Sequence, residues 1–159
     1  MCFTFYVPQG LKKVTVLGGD VFDGAFMNMR TLTEVVFADG ADTTYIGEAA
    51  FMGAVALEGF TVPAGVSIVG DYAFCFSGVR TVDMSAADEI TVLPEYIFGE
   101  NTRLATISLP ENLVTIEGYA FYMASALKNI VIPDTVTEIG EYAFYACTSL
   151  ESVSLPANL

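Results

Sequence analysis

The stretch that decides the fold is Leu127-Lys128-Asn129-Ile130-Val131-Ile132-Pro133-Asp134-Thr135-Val136-Thr137-Glu138-Ile139-Gly140-Glu141-Tyr142-Ala143-Phe144-Tyr145-Ala146-Cys147. It opens with a short alternating run that stops at a proline. An extended piece, a glycine and an Ala-Phe pair follow. Laid on the rest of the chain, the pattern recurs. Six phenylalanines hold the register, Phe26, Phe51, Phe74, Phe98, Phe121 and Phe144, at spacings of 25, 23, 24, 23 and 23 residues. Five follow an alanine, and the exception follows Ile97. An aliphatic sits five residues earlier in every copy: Val21, Ile46, Val69, Leu93, Ile116 and Ile139. Six residues later comes Leu32, Leu57, Leu104, Leu127 or Leu150, and the third copy uses Val79 one position early. Agreement at several positions across six copies makes an internal repeat the organising fact of the chain.

Each position predicts local structure. Ile107-Ser108-Leu109-Pro110, Ile130-Val131-Ile132-Pro133 and Val153-Ser154-Leu155-Pro156 alternate as a half-buried strand does. Phe60-Thr61-Val62-Pro63 and Val35-Val36-Phe37-Ala38 are weaker copies, and Phe5-Tyr6-Val7-Pro8 reads as the tail of a truncated earlier unit. Proline cannot donate to a ladder and ends the strand. Val136-Thr137-Glu138-Ile139 is a second extended piece, Gly140 or Gly47 then permits a turn, and Glu141–Ala146 is expected to form a turn or two of helical character. One unit cannot bury its own apolar face, so units must stack into a continuous core. The fold predicted for residues 1–159 is one solenoid of about six units of 23–25 residues, a right-handed coil of short parallel strands joined by short helical turns. Neither end shows a polar capping unit. The expectation is a fragment of a longer array, or an array whose ends pair.

Composition narrows function. The 159 residues are 53% hydrophobic with a net charge of −13, six basic residues and no histidine. Nucleic-acid backbones and anionic membranes both need clustered Lys and Arg, so neither is an expected partner. No apolar run reaches transmembrane length. Met1-Cys2-Phe3-Thr4-Phe5-Tyr6 lacks the basic start of a secretory signal. Without histidine the usual acid–base and metal chemistry shrinks, and no nucleophile elbow, phosphate loop or zinc spacing occurs. The protein is not expected to be an enzyme, and no cofactor or metal is expected. Cys2, Cys75 and Cys147 fall in register positions too far apart for a disulfide, so free thiols are expected.

The unit resembles the BspA-type leucine-rich repeat, whose pattern L-x-x-I-x-I-P-x-x-V-x-x-I-G-x-x-A-F-x-x-C is matched throughout by Leu127 to Cys147. The resemblance covers roughly residues 14–159, with departures at Phe22, Ser85 and Asn101 and longer linkers before Ile46 and Leu93. It implies a secreted or surface-displayed protein that binds host or matrix proteins, or other cells.

Register turns residues into columns. The outward strand positions are Glu34, Gly59, Thr81, Thr106, Asn129 and Ser152 in one column, and Val36, Thr61, Asp83, Ser108, Val131 and Ser154 in the other. This small, hydroxyl-rich face is the expected protein-docking surface by family implication. Thr and Ser also suit an exposed pleated surface with no ligand at all. Tyr72, Tyr96, Tyr119 and Tyr142 form a column two residues before the phenylalanines, with Tyr122 and Tyr145 beside it. That column reads as edge packing or as a stripe that binds glycans or a partner. Asp23, Glu48, Asp71, Glu95 and Glu141 form an acidic column, broken at Gly118, that reads as solvated surface or as a weak cation site. The expected roles are therefore an adhesion-type interaction module, a structural spacer assembling end to end, or a glycan binder.

Overall fold

The structure, a computed structural model, describes residues 7–157 and 159. Cys2, and Phe5 and Tyr6 of the expected truncated unit, lie outside the described residues. Among the described residues twelve strands follow one another: β1 (Lys13–Val16), β2 (Glu34–Phe37), β3 (Tyr45–Ile46), β4 (Gly59–Thr61), β5 (Ile68–Val69), β6 (Thr81–Asp83), β7 (Val92–Leu93), β8 (Thr106–Ser108), β9 (Thr115–Ile116), β10 (Asn129–Val131), β11 (Glu138–Ile139) and β12 (Ser152–Ser154). All pairings are parallel, each between equivalent strands of neighbouring units. The chain is a parallel solenoid of about six turns, as the periodicity requires.

The alternating strand residues do what their period demands. Phe60, Val82 and Ile130 point inward and are buried, while Thr61, Asp83 and Val131 point out. Ile46, Leu93 and Ile116 form one buried ladder, and Leu32, Leu57, Leu104 and Leu127 another. Between them runs a spine of stacked rings. Phe26, Phe51, Phe74, Phe98, Phe121 and Phe144 succeed one another at centroid distances of 5.4, 5.3, 5.6, 5.5 and 5.2 Å. The four inner rings are wholly buried. Each ring therefore ties its unit to both neighbours.

The segment expected to be helical forms no helix; it is a run of tight turns. Ala73, Cys75 and Ser77 donate their N–H groups three residues back, to Gly70, Tyr72 and Phe74. The alternate groups, on Tyr72, Phe74 and Phe76, donate instead to the next unit, at Glu95, Ile97 and Gly99, over 3.0, 3.0 and 2.8 Å. The same interleaving holds at every step from Gly24 to Tyr145. A helix would spend all of these donors inside one unit. Here half of them stitch units together, and left-handed residues make the alternation possible. Positions two before and two after each anchoring phenylalanine have positive φ: Gly24 and Asn28, Ala49 and Gly53, Tyr72 and Phe76, Tyr96 and Glu100, Tyr119 and Met123, Tyr142 and Ala146. For a non-glycine residue this costs roughly 1–2 kcal/mol. The inter-unit ladder and the buried spine must offset that cost.

The sheets are less continuous than the repeat. The sheet face divides into three panels, β1-β2, β4-β6-β8 and β10-β12, and the second strand row into β3-β5 and β7-β9-β11. The break between β5 and β7 flanks the longer linker before Leu93, where Asp83 receives hydrogen bonds from Ser85 N and Oγ. The longer linker before Ile46 reduces its pairing with Val21 to a single bridge. In its place Asp20 Oδ1 accepts from Thr44 N and Tyr45 N, both at 3.0 Å.

Candidate interaction surface

The two outward columns of the sheet face stand where the register puts them. Thr81 pairs with Gly59 on one side and Thr106 on the other, and Asp83 likewise with Thr61 and Ser108. These six positions form one contiguous panel. Asn129 and Ser152, with Val131 and Ser154, form a second. Glu34 and Val36 belong to a third, whose other strand supplies Lys13 and Thr15. Except for half-buried Gly59, the residues of both columns are exposed. The structure thus brings the predicted residues together in three panels and joins no strand ladder across the gaps.

Lys13 and Thr15 were not anticipated. They lie on β1, ahead of Phe26, the first ring of the repeat register. The signal was present in Val14 and Val16, which alternate with the outward pair and pack against the core.

Chemistry on the face is mild. Ser152 Oγ donates to Asn129 Oδ1 at 2.8 Å, and Lys13 Nζ meets Glu34 Oε1 at 2.9 Å. Both partners of that ion pair are about half exposed, so it adds little stability. The hydrogen bonds from Ser85 hold the Asp83 carboxyl below its ordinary pKa and keep it charged. Gly59 leaves a low point in the panel, because a Cβ there would press on Thr81 Oγ1. Large aromatic anchors are absent from all three panels.

The other columns resolve differently. Tyr72, Tyr96, Tyr119 and Tyr142 stack at 5.2, 4.7 and 5.2 Å, and Tyr122 lies on Tyr145 at 5.6 Å. Each inner ring has both faces covered by its neighbours. A sugar stacks on an aromatic face, so the interior of this column offers it no platform. The acidic column is partly engaged in backbone bonding. Asp23 Oδ1 accepts from Glu48 N at 3.0 Å and from Tyr45 Oη at 2.6 Å, and Glu117 Oε2 accepts from Glu95 N at 3.0 Å. Glu95, Glu117 and Glu138 surround an open depression floored by Gly118 and Gly140. Among the described residues, no group of three His, Cys, Asp or Glu side chains is placed to hold a metal ion.

The described cysteines are free thiols. Burial pushes the Cys75 thiol up to about 11, and Cys147 is also raised by burial. Neither is an activated nucleophile, because the thiolate is the reactive form. Cys147 instead donates to Phe121 O at 3.1 Å. In the same column Asn101 is fully buried. Its amide donates to Phe74 O at 2.7 Å, and its oxygen accepts from Ser77 Oγ at 2.9 Å. No helix among the described residues is long and apolar enough to cross a membrane.

Six copies of the BspA type leucine rich repeat region match residues 20–151. The chain belongs to the BspA-type leucine-rich-repeat family. Solved structures of other leucine-rich-repeat proteins overlay on it. A leucine rich cell surface protein from Faecalibacterium prausnitzii A2-165 is 25% identical with a TM-score of 0.61, over 91% of this chain and 47% of that one. A leucine-rich repeat protein from Eubacterium ventriosum is 21% identical with a TM-score of 0.64, over 93% and 45%. The leucine rich repeat protein of T. pallidum is 23% identical with a TM-score of 0.52, over 95% and 61%. The chain thus spans about half the length of these neighbours. No curated protein matches it. The BspA-type family and fold are generally non-enzymatic, and leucine-rich repeats commonly bind proteins.

Proposed function

We propose that this BspA-type array is a non-catalytic, adhesion-type module, displayed at the cell surface or secreted, that docks a host or matrix protein on its sheet face. The observation that carries the reading is the geometry of that face. Parallel pairing lines up Glu34, Val36, Thr61, Thr81, Asp83, Thr106, Ser108, Asn129, Val131, Ser152 and Ser154, all exposed, on a rigid core. The Thr, Ser, Asp and Asn side chains among them offer donors and acceptors at fixed spacing with little entropy to lose on binding. The surface description of the Faecalibacterium neighbour supports the location. The piece would then act as a segment of a longer surface array.

The test places arginine at Thr81, Thr106 and Ser108 together and measures binding to an immobilised panel of extracellular-matrix proteins. The wild-type array should bind a member of the panel and the triple variant should not, with far-ultraviolet circular dichroism unchanged. Equal binding by the variant would remove the sheet face as the docking surface.

A further inference from the structure

The protein's aromatic groups are concentrated away from the sheet face, on the edge formed by the interleaved turns. Tyr142, Tyr145 and Phe76 are each more than half exposed, and Met123 is 39% exposed. Tyr96, Tyr119, Tyr142, Tyr122 and Tyr145 form one connected cluster, joined by edge-on contacts of 6.0, 5.7 and 5.8 Å as well as by stacking. Single exposed apolar residues need no explanation, but a connected row of tyrosines with exposed Phe76 and Met123 in the same turn segments does. These are the residue types that anchor protein interfaces.

Charge on this edge has one sign. Between five residues before and three after each anchoring phenylalanine lie Asp23, Glu48, Asp71, Glu95, Glu100, Glu117 and Glu141, and no Lys or Arg. The basic residues Lys12, Lys13, Arg30, Arg80, Arg103 and Lys128 all fall elsewhere in the repeat. The carboxylates are close enough to matter. After burial, Glu141 and Glu95 are among the groups that raise the Tyr119 hydroxyl, and Glu95 and Asp71 raise that of Tyr72.

We propose that the turn edge from Phe76 to Tyr145 is a second docking surface, for a protein partner that presents an apolar patch rimmed by Lys or Arg. Charge complementarity selects that occupant. A second copy of this chain would bring like-charged edges together, and a nucleic acid would be repelled. The covered ring faces disfavour a glycan.

The probe is a synthetic amphipathic peptide with Leu and Trp along one side and Arg along the other. An Arg-bearing peptide of equal charge with Ser in place of Leu and Trp is the comparison. Fluorescence anisotropy at physiological ionic strength should show the amphipathic peptide binding about tenfold or more tighter than its apolar-free counterpart. Phe76→Asn with Tyr142→Asn, chosen because Asn tolerates positive φ, and separately Tyr145→Ser should weaken binding about tenfold. Glu95→Lys with Glu141→Lys should weaken it and flatten its salt dependence. Thr81→Gln with Thr106→Gln on the sheet face should leave it unchanged. Should one edge variant fail to fold by circular dichroism, the remaining edge variants decide. The proposal is overturned if the wild type does not bind, if both peptides bind equally, if the edge variants keep full affinity, or if the sheet-face pair is the one that loses it.

Discussion

Replacing Phe74 with alanine probes the stacking principle directly. Phe74 is fully buried and meets three rings: Phe51 at 5.3 Å, Phe98 at 5.6 Å and Phe60 at 4.6 Å. Truncating a buried Phe costs about 3–5 kcal/mol. Aromatic pairs are worth roughly 0.5–1.5 kcal/mol each beyond area burial. With three such pairs, Phe74→Ala belongs at the top of the range, about 5 kcal/mol. Phe144 is half-buried and stacks on Phe121 alone, at 5.2 Å. Its truncation should cost about 1–2 kcal/mol, from partial burial and one lost pair. In a repeat array stability is close to a sum of unit and nearest-neighbour contributions, so Phe74 supports two junctions and Phe144 one. Urea unfolding followed by circular dichroism reads the difference. With a slope of about 2 kcal/mol/M, Phe74→Ala should lower the midpoint by about 2.5 M and Phe144→Ala by about 0.5–1 M. If the alanine variant cannot be prepared folded, Phe74→Leu against Phe144→Leu should show the same order at smaller size. Equal costs at the two positions would refute the claim that the ring spine couples each unit to both neighbours.

Local features set four further outcomes. Glu100 is exposed with a φ of 58°, so Glu100→Gly should raise the thermal midpoint, relieving about 1 kcal/mol of left-handed strain. Gly70→Ala should lower it, because its Cβ would meet the backbone of Gly47 and Glu48. The buried Cys75 thiol should resist a thiol-specific reagent in the folded protein and react on unfolding. Its raised value also sets a sign. Between about pH 8.5, where an exposed thiol ionises, and the folded value of about 11, the unfolded chain loses the proton first. Stability should therefore fall as pH rises through that window and be fully present below it. A denaturation series from pH 7 to 11 with no downward slope would contradict the burial.

The repeat, its register and the inward-facing residues were legible because each is a periodic requirement of burial. A position that is apolar in one unit is apolar in most others, and Leu32, Leu57, Leu104 and Leu127 announce themselves. The turns were not legible from Glu141-Tyr142-Ala143-Phe144-Tyr145-Ala146, since Ala and Glu favour helix and tyrosine does not announce positive φ. The hint lay in the weaker units, where Gly24, Asn28 and Gly53 occupy the same two columns. The gaps between sheet panels were partly legible. The long linker before Leu93 foretold the break beside β7, but nothing in the sequence or the structure explains the breaks between β2 and β4 or between β8 and β10. Asn101 was recognised only as a departure. Its role appears once Ser77 and the Phe74 carbonyl are seen beside it. The sheet-face columns were legible as positions. Their partner was not, because a ligand leaves no periodic mark on the array.

The interleaved ladder that replaces the expected helical turns is tested most directly by native-state amide hydrogen exchange. Amides of Tyr72, Phe74, Phe98 and Phe121 donate across unit junctions, while those of Ala73 and Cys75 donate within a unit. Both sets should be strongly protected, and Phe74→Ala should deprotect the amides of Phe51 and of residue 74, which bond across the two junctions that flank that ring. Fast exchange at Tyr72, Phe74, Phe98 and Phe121 beside slow exchange at Ala73 and Cys75 would mean that the turns close only on themselves, and the units would not be stitched as described.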